Sequence, residues 1–141
     1  MEPMADPEPT PLEATLARVG DRWTLLLVDA LLAGPRRFNE LQEAMPAIAT
    51  NVLSQRLRHL EGERIVVATP YHDRPVRYRY ELTAAGRELA GALRLLAHWN
   101  AGQGAGGPEH AACGTPLDAR WYCPTCDHVV EDADASAVRY V

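Results

Sequence analysis

The spacing of apolar residues divides the first part of the chain into short amphipathic segments. A helix is predicted to begin after Thr10, a typical N-cap residue that is followed by proline and then, three residues on, by glutamate. This helix ends near Gly20. Asp21 is the predicted cap of a second helix, Arg22–Leu32, which is apolar nearly all round and is therefore expected in the core. The glycine–proline pair that follows it ends that helix.

Two further helices are predicted before the apolar period changes. Asn39 with Gln42 repeats the cap pattern for a short helix that ends before Pro46. A fourth helix extends from about residue 50 to residue 61, with Gly62 at its carboxyl end. Only a short turn joins these two helices, which is typical of a helix-turn-helix pair.

Beyond the fourth helix, the repeat of apolar residues changes from one every 3.6 positions to one every second position, which predicts a β-hairpin. Ile65, Val67 and Thr69 alternate on the first strand, and residues 71–75 form the turn. The return strand places Val76, Tyr78, Tyr80 and Leu82 on one face and Arg77, Arg79 and Glu81 on the other. A last helix, Ala84–Trp99, is capped by Thr83.

This order of elements predicts a mainly α fold with a β-hairpin wing, an α+β winged helix-turn-helix. In that plan the second helix of the pair enters the major groove and the hairpin contacts the DNA backbone or minor groove. The predicted divisions are a disordered lead (1–9), the winged domain (10–100), a Gly-rich linker (101–108) and a cysteine-bearing tail (109–141).

Charge is distributed unevenly along the chain. The net charge is −5, but residues 22–100 carry eleven arginines against eight acids, between ends that are each at −4. A composition of 47% hydrophobic and 23% charged residues is ordinary for a globular protein. The absence of a long apolar run or apolar leader and the odd count of three cysteines predict a cytoplasmic protein with reduced thiols and no membrane partner.

The fourth helix carries the best candidate for a DNA-reading surface. Leu53, Leu57 and Leu60 form one stripe, which is predicted to be buried. Side chains that bind base edges or phosphates lie opposite or beside it. The candidates on this helix are Thr50, Asn51, Ser54, Gln55, Arg58 and His59. The alternative is an ordinary solvated face.

Positively charged side chains on the hairpin strengthen the DNA hypothesis. Arg74 at its tip, with His72 and Arg77 beside it, places cations where phosphates would pass. Arg36 and Arg37, ahead of the helix-turn-helix pair, are further candidates for backbone contacts. The alternative for the strand arginines is an exposed face paired with acids.

Together these motifs resemble the HxlR-type winged-helix transcriptional regulators, relatives of the MarR group. The segments that carry the resemblance are GDRWTLLLVDALLAGPRRFNEL and LSQRLRHLEGERIVVATPYHDRPVRYRYELTAAGREL, within residues 15–100. It implies a homodimeric bacterial DNA-binding regulator. A two-fold dimer presents two reading helices about one turn of DNA apart, so the expected operator is an inverted repeat. The predicted regulator is a repressor if this operator overlaps a promoter. The resemblance also implies a dimer contact made by the first and last helices, at Leu12, Leu16, Leu89, Leu93, Leu96 and Trp99.

Two positions depart from the pattern of that family. Members that sense electrophiles or oxidants carry a cysteine near the N-terminus, whereas this chain has none before Cys113. The family usually has serine where this chain has Ala49, so that Thr50 becomes the predicted N-cap of the reading helix. A small-molecule effector site lined by Trp23, His98 and Trp99 is one interpretation of those residues, and core or interface packing is the other.

The tail carries two pairs of metal-binding residues. His110-x-x-Cys113 and Cys123-x-x-Cys126 have the spacing of a structural zinc ribbon, with His128 as a rival fourth ligand. About 40 residues are too few to build a core, so a metal crosslink is physically reasonable. The alternatives are a redox pair formed by the last two cysteines and three unrelated thiols.

Three functions follow from these patterns. The first is a sequence-specific DNA-binding regulator. The second is a protein-interaction adaptor that uses the winged helix and the ribbon as docking surfaces. The third is a thiol redox protein; no other enzyme is predicted, because the chain has no catalytic triad order, paired carboxylates or phosphate-binding glycine loop.

Overall fold

The computed structural model describes residues 7–104 and 106–131. Residues 1–6 of the predicted lead, linker residue 105 and residues 132–141 at the end of the tail lie outside the described residues. The helices are α1 Pro11–Val19, α2 Arg22–Leu32, α3 Phe38–Ala44, α4 Thr50–Gly62 and α5 Ala84–Ala101. The strands are β1 Arg36–Arg37, β2 Val66–Asp73, β3 Val76–Leu82, β4 Trp121–Cys123 and β5 His128–Val130. The chain forms two compact units, Met1–Leu93 and Arg94–Val141.

The first two helices begin where their capping signals predict. The Thr10 hydroxyl accepts the N–H of Glu13, whose carboxylate accepts the N–H of Thr10 at 2.7 Å, so that two free donors of α1 are satisfied. The Asp21 carboxylate accepts the N–H groups of Trp23 and Thr24, each at 3.0 Å. Local capping chemistry therefore sets both starts.

The starts of α3 and α4 differ from the prediction. Arg37, not Asn39, is the N-cap of α3, and its N–H donates to the Glu40 carboxylate at 2.6 Å. The cause is β1, whose pairing with β3 holds Arg37 extended so that the helix begins directly after it. Ala49, not Thr50, is the N-cap of α4, because Ala49 is extended (φ −69°, ψ 144°) whereas Thr50 is already helical. The Thr50 hydroxyl accepts a bond from the Gln42 amide at 2.9 Å.

The sheet of the first unit has the antiparallel order β1-β3-β2. Val66 pairs with Leu82, and both are buried, whereas Val67 is 50% exposed. The predicted face of Ile65, Val67 and Thr69 is therefore wrong. Arg64 has a left-handed backbone (φ 58°), and the chain it redirects buries the consecutive residues Ile65 and Val66.

The hairpin turn is also shorter than predicted. Residues 71–73 belong to β2, and only Arg74 and Pro75, joined by a cis peptide bond, connect the strands. The pairing shifts between Pro70 and His72, which leaves Tyr71 as an extra residue on β2. Such a bulge changes the direction of a side chain, and here that side chain belongs to Tyr71.

The carboxyl end of α4 meets the start of α5. Gly62 is still helical, and the helix closes when the N–H of Ile65 donates to the Leu60 carbonyl at 2.9 Å. The Thr83 hydroxyl accepts the Gly86 N–H, which confirms Thr83 as the cap of α5. That hydroxyl also donates to the Arg64 carbonyl at 2.7 Å, so that this turn fastens α5 to the end of α4.

One core unites the helices and the base of the hairpin. Its most completely buried side chains are Leu27, Val28, Leu41, Leu53, Leu57, Leu60 and Val66. The central position predicted for α2 is confirmed, because Leu27, Val28 and Leu31 are all at most 2% exposed. This core holds α4 and the base of the hairpin in fixed positions relative to each other.

A methyl group at position 86 is expected to destabilise the first unit. A Cβ built on Gly86 would lie 2.3 Å from the Ile65 carbonyl oxygen, so Gly86→Ala forces the α5 start away from the core. We expect a loss of about 1–3 kcal/mol in the free energy of unfolding, measured by urea denaturation. Gly91→Ala in the same helix is the control, since its Cβ meets nothing within 4 Å and should stabilise by roughly 0.5–1 kcal/mol. Equal stabilities of the two variants would contradict this packing argument.

The second unit consists of the end of α5, turns and a two-stranded sheet. α5 ends at Ala101, two residues beyond the predicted end, and turns follow to residue 104. β4 and β5 pair antiparallel, with Cys123 opposite His128. None of the described residues from 94 to 131 is buried.

Candidate nucleic-acid interface

The candidate reading helix is α4, and its orientation follows from its leucines. Leu53, Leu57 and Leu60 are at most 1% exposed, so the predicted buried stripe is confirmed. The helix therefore turns its opposite side to solvent. Side chains on that side can make contacts outside the protein without disturbing the core.

Polar contacts fix α4 against the first two helices. The Arg56 guanidinium donates to the Asp21 carboxylate at 3.1 Å, which connects α4 to the cap of α2. Burial works to raise the pKa of Asp21, but the hydrogen bonds from Thr24 and Arg56 outweigh it and lower that pKa. Asp21 thus stays ionised and holds the helix start and the guanidinium together.

The carboxyl end of α4 is tied to α1. His59 Nε2 donates to the Arg18 carbonyl at 2.7 Å, and the Arg18 side chain pairs with Glu63 at 2.6 Å. The predicted reading residue His59 is thus engaged within the protein. Its geometry suits a positioning role better than a direct contact with bases.

The remaining predicted residues of α4 differ in exposure. Thr50, Asn51, Gln55 and Arg58 are exposed, and Ser54 is half-buried. In the part of the chain that the structure describes, no acidic side chain forms an ion pair with Arg58. The helix therefore offers amide, hydroxyl and guanidinium groups to an external partner.

A groove of about 850 Å³ separates this helix from the hairpin. Thr50, Ser54 and Arg58 line it from α4, and Arg77 lines it from β3. The structure therefore brings together residues that the sequence assigned to two separate motifs. The other lining residues are Phe38, Asn39, Leu57, Glu61, Ala68, Tyr71, Val76, Tyr78 and Tyr80.

Three tyrosines of the hairpin, Tyr71, Tyr78 and Tyr80, line the groove although the sequence did not indicate them as site residues. Burial raises the pKa of Tyr80, nearby Glu61 and Tyr78 raise it further, and Arg58 opposes them. The phenol is therefore neutral at physiological pH and can donate a hydrogen bond to an anionic oxygen. Alternation along β3 places Tyr78 and Tyr80 on one face, but it does not show that this face borders α4.

Arginines gather around Tyr71 on the hairpin. The Arg37 guanidinium lies 4.7 Å from the centre of the Tyr71 ring, and that of Arg79 lies 5.9 Å away. The register of the sheet causes this, because Arg37 and Thr69 both pair with Arg79. Stacking on the ring holds the two like charges close together.

The other predicted wing residues lie in different settings. Arg74 and Arg77 are exposed, and no acid among residues 7–104 and 106–131 forms an ion pair with either. His72 Nδ1 donates to the Pro75 carbonyl at 3.0 Å and so braces the turn. The half-buried Arg36 donates to the Ala30 carbonyl at 3.0 Å, so its side chain is anchored within the fold.

The residues predicted for dimerisation are divided between the units. In the first unit, Leu12 and Leu16 are 64% and 52% exposed, whereas Leu89 and Leu93 pack partly against the core. In the second unit, Leu96 and Trp99 are 55% and 68% exposed. The exposed leucines of α1 form an apolar surface with no partner within the described residues.

The predicted effector residues fall in both units. Trp23 packs against the core of the first unit, and the Arg22 guanidinium lies 4.6 Å from its ring centre. His98 and Trp99 belong to the second unit. The packing of Trp23 favours a core role for that residue.

In the tail, each predicted ligand pair is formed separately. His110 Nδ1 lies 3.3 Å from Cys113 Sγ. Hydrogen bonds from the Cys126 backbone and thiol and from the Thr125 backbone lower the pKa of Cys123. Among the described residues, however, no three His, Cys, Asp or Glu side chains are grouped so that one metal ion could bind them.

The first unit is a winged helix-turn-helix: α3 and α4 form the pair, and the hairpin that follows α4 is the wing. A family model described as HxlR-like helix-turn-helix matches residues 18–106. The chain belongs to this family, whose members are DNA-binding transcriptional regulators. No helix in the described ranges is long and apolar enough to cross a membrane.

Individual relatives agree with this assignment. The HTH-type transcriptional regulator Rv3095 of Mycobacterium tuberculosis is 37% identical over 117 residues, which cover 79% of this chain and 73% of the relative. YtcD of Bacillus subtilis is 37% identical over 90 residues, or 64% and 71% of the two chains. The crystal structure of ytcD superposes with a TM-score of 0.64 at 35% identity, covering 67% of this chain and 97% of that one.

Proposed function

We propose that this protein is a homodimeric, sequence-specific repressor that binds an inverted-repeat operator through α4 and the hairpin. The observation that carries the proposal is the groove between these two elements, where Ser54 and Arg58 face Arg77 and Tyr78. Amide and guanidinium groups on α4 read base edges, and the hairpin binds phosphates. Repression follows where the operator overlaps a promoter.

The division of work between helix and hairpin follows from their side chains. Asn51 and Gln55 are uncharged, exposed and able to form paired hydrogen bonds with adenine. Arg74 and Arg77 are exposed cations free of ion pairs with the described acids, as phosphate-binding residues must be. The negative net charge of −5 is compatible with this role because the arginine excess is confined to the middle of the chain.

The two-fold symmetry of the proposed dimer supplies the rest of the specificity for the operator sequence. The exposed leucines of α1 are the surface proposed to pair with a second copy. Two copies of α4 then lie about 34–36 Å apart, one turn of DNA, and read the two halves of an inverted repeat.

Binding to DNA from beside the protein's own gene tests the proposal. A fluorescent duplex that contains an inverted repeat from that region should bind with an affinity that falls about 10³-fold or more between 50 and 200 mM salt, if six or more phosphates are contacted. A duplex of equal length and shuffled sequence is the control. Equal affinity for both duplexes, or no salt dependence, would reject the DNA-reading proposal in favour of a protein-interaction adaptor.

A further inference from the structure

The two ligand pairs of the tail lie in turns of the same construction. In the first, the N–H of Gly114 donates to the His110 carbonyl at 2.7 Å. In the second, the N–H of Asp127 donates to the Cys123 carbonyl at 2.9 Å. In each turn, two residues separate the two candidate ligands. The N–H of the residue after the second ligand donates to the carbonyl of the first.

The closing residues also share an unusual backbone conformation. Gly114 has φ 70° and Asp127 has φ 55°, both in the left-handed region. Glycine adopts it freely, but a residue with a side chain does so at some cost. The tail therefore repeats one specific turn twice, at the two places where the sequence carries its cysteines.

The first turn already holds its donors at the separation that a metal requires. Tetrahedral zinc with bonds of about 2.3 Å to sulfur and 2.0 Å to nitrogen places these two atoms about 3.5 Å apart. His110 Nδ1 and Cys113 Sγ are 3.3 Å apart, in a hydrogen bond that a bound metal ion would replace.

Apolar burial does not explain how this tail holds its shape. None of its described residues is buried, and Trp121 and Tyr122 are each 56% exposed. A segment this short needs a crosslink when it lacks a core. No disulfide joins its cysteines, all three of which are free.

We propose that His110, Cys113, Cys123 and Cys126 bind one structural zinc ion that joins the two turns. In the described residues the two pairs do not yet meet in one group of ligands. Binding therefore requires the turns to approach each other. Residues 117–120, which connect the first turn to β4, form no helix or strand and are exposed, so they can rearrange without breaking a core.

The fourth ligand is His110 rather than His128. His110 Nδ1 faces a cysteine sulfur within its own turn. Nδ1 of His128 instead donates to the Cys126 carbonyl at 3.3 Å, and among the described residues neither ring nitrogen of His128 forms a hydrogen bond with a cysteine sulfur. His128 also lies beyond the second turn, on β5.

Metal titration of the full-length protein, reduced and stripped by a chelator, tests the site. Cobalt(II) should bind at about one ion per chain, with thiolate charge-transfer and tetrahedral d–d absorption, and zinc should displace it. Cys123→Ser and His110→Ala each remove a proposed ligand. Each should therefore weaken zinc binding by more than the roughly 10- to 100-fold that is lost when a residue hydrogen-bonded to a ligand is replaced. His128→Ala, the matched control, should bind as tightly as the unaltered protein.

Three results would overturn the proposal: no thiolate absorption with cobalt, unchanged affinity in Cys123→Ser, or greater loss in His128→Ala than in His110→Ala. Circular dichroism of each variant verifies that the winged domain remains folded. Because the readout is metal affinity, its failure leaves the DNA-binding proposal unaffected. A Cys123–Cys126 disulfide in the metal-free protein, with no cobalt binding after reduction, would favour the redox alternative.

Discussion

Replacing both Gln55 and Arg58 by alanine is expected to remove operator recognition while leaving much of the binding to unrelated DNA. Both side chains are exposed on the side of α4 opposite its buried leucines, so their loss leaves the core unchanged. Each base-reading side chain contributes about 1–3 kcal/mol of discrimination. Operator affinity should therefore fall by at least about 30-fold, measured by fluorescence anisotropy at fixed salt.

A double variant in the second unit provides the matched control. Gln103→Ala with Arg120→Ala removes the same two residue types, changes the charge equally and alters only exposed positions. It should bind the operator as the unaltered protein does. If both double variants lose affinity equally, charge rather than base reading sets the affinity, and the reading face assigned to α4 is wrong.

Elements fixed by local chemistry were predictable from sequence. α2 begins and ends at the predicted residues because an N-cap aspartate and a glycine–proline stop act within a few positions. The leucine stripe of α4 was equally readable, since the 3.6 period records which face is buried. Both features depend on residues close together in the chain.

Elements fixed by distant pairing were not predictable in this way. β1 is two residues long and exists because Arg36 and Arg37 pair with Tyr80 and Arg79, more than forty positions away. Its formation moved the start of α3. The bulge at Tyr71 likewise depends on how β2 meets β3, and no alternation pattern signals an extra residue.

The candidate site depends both on local sequence patterns and on pairing between distant residues. Its helix face was predicted, but the tyrosines that complete the groove were not, because their contribution depends on the hairpin folding back toward α4. For the tail, spacing predicted the two ligand pairs, and the structure shows a turn at each of them.

Introducing charge on α1 is the second change expected to have a large effect, because it separates the two subunits that read the two half-sites. Leu12→Glu with Leu16→Glu alters side chains that are 64% and 52% exposed in the single chain, so the fold should tolerate it. In a dimer through α1, however, the same change buries unpaired carboxylates between the subunits. Sedimentation should show a monomer where the unaltered protein is a dimer.

Loss of the dimer separates two linked binding events. Linked sites gain roughly 10²- to 10⁴-fold over a single one, so operator affinity should fall by about that factor. On a duplex with only one half-site, the variant and the unaltered protein should bind more nearly alike, because α4 and the hairpin are unchanged. Leu26→Glu, at a 42% exposed position on α2, is the control and should remain dimeric. A dimeric α1 variant with full operator affinity would show that the subunits meet through another surface.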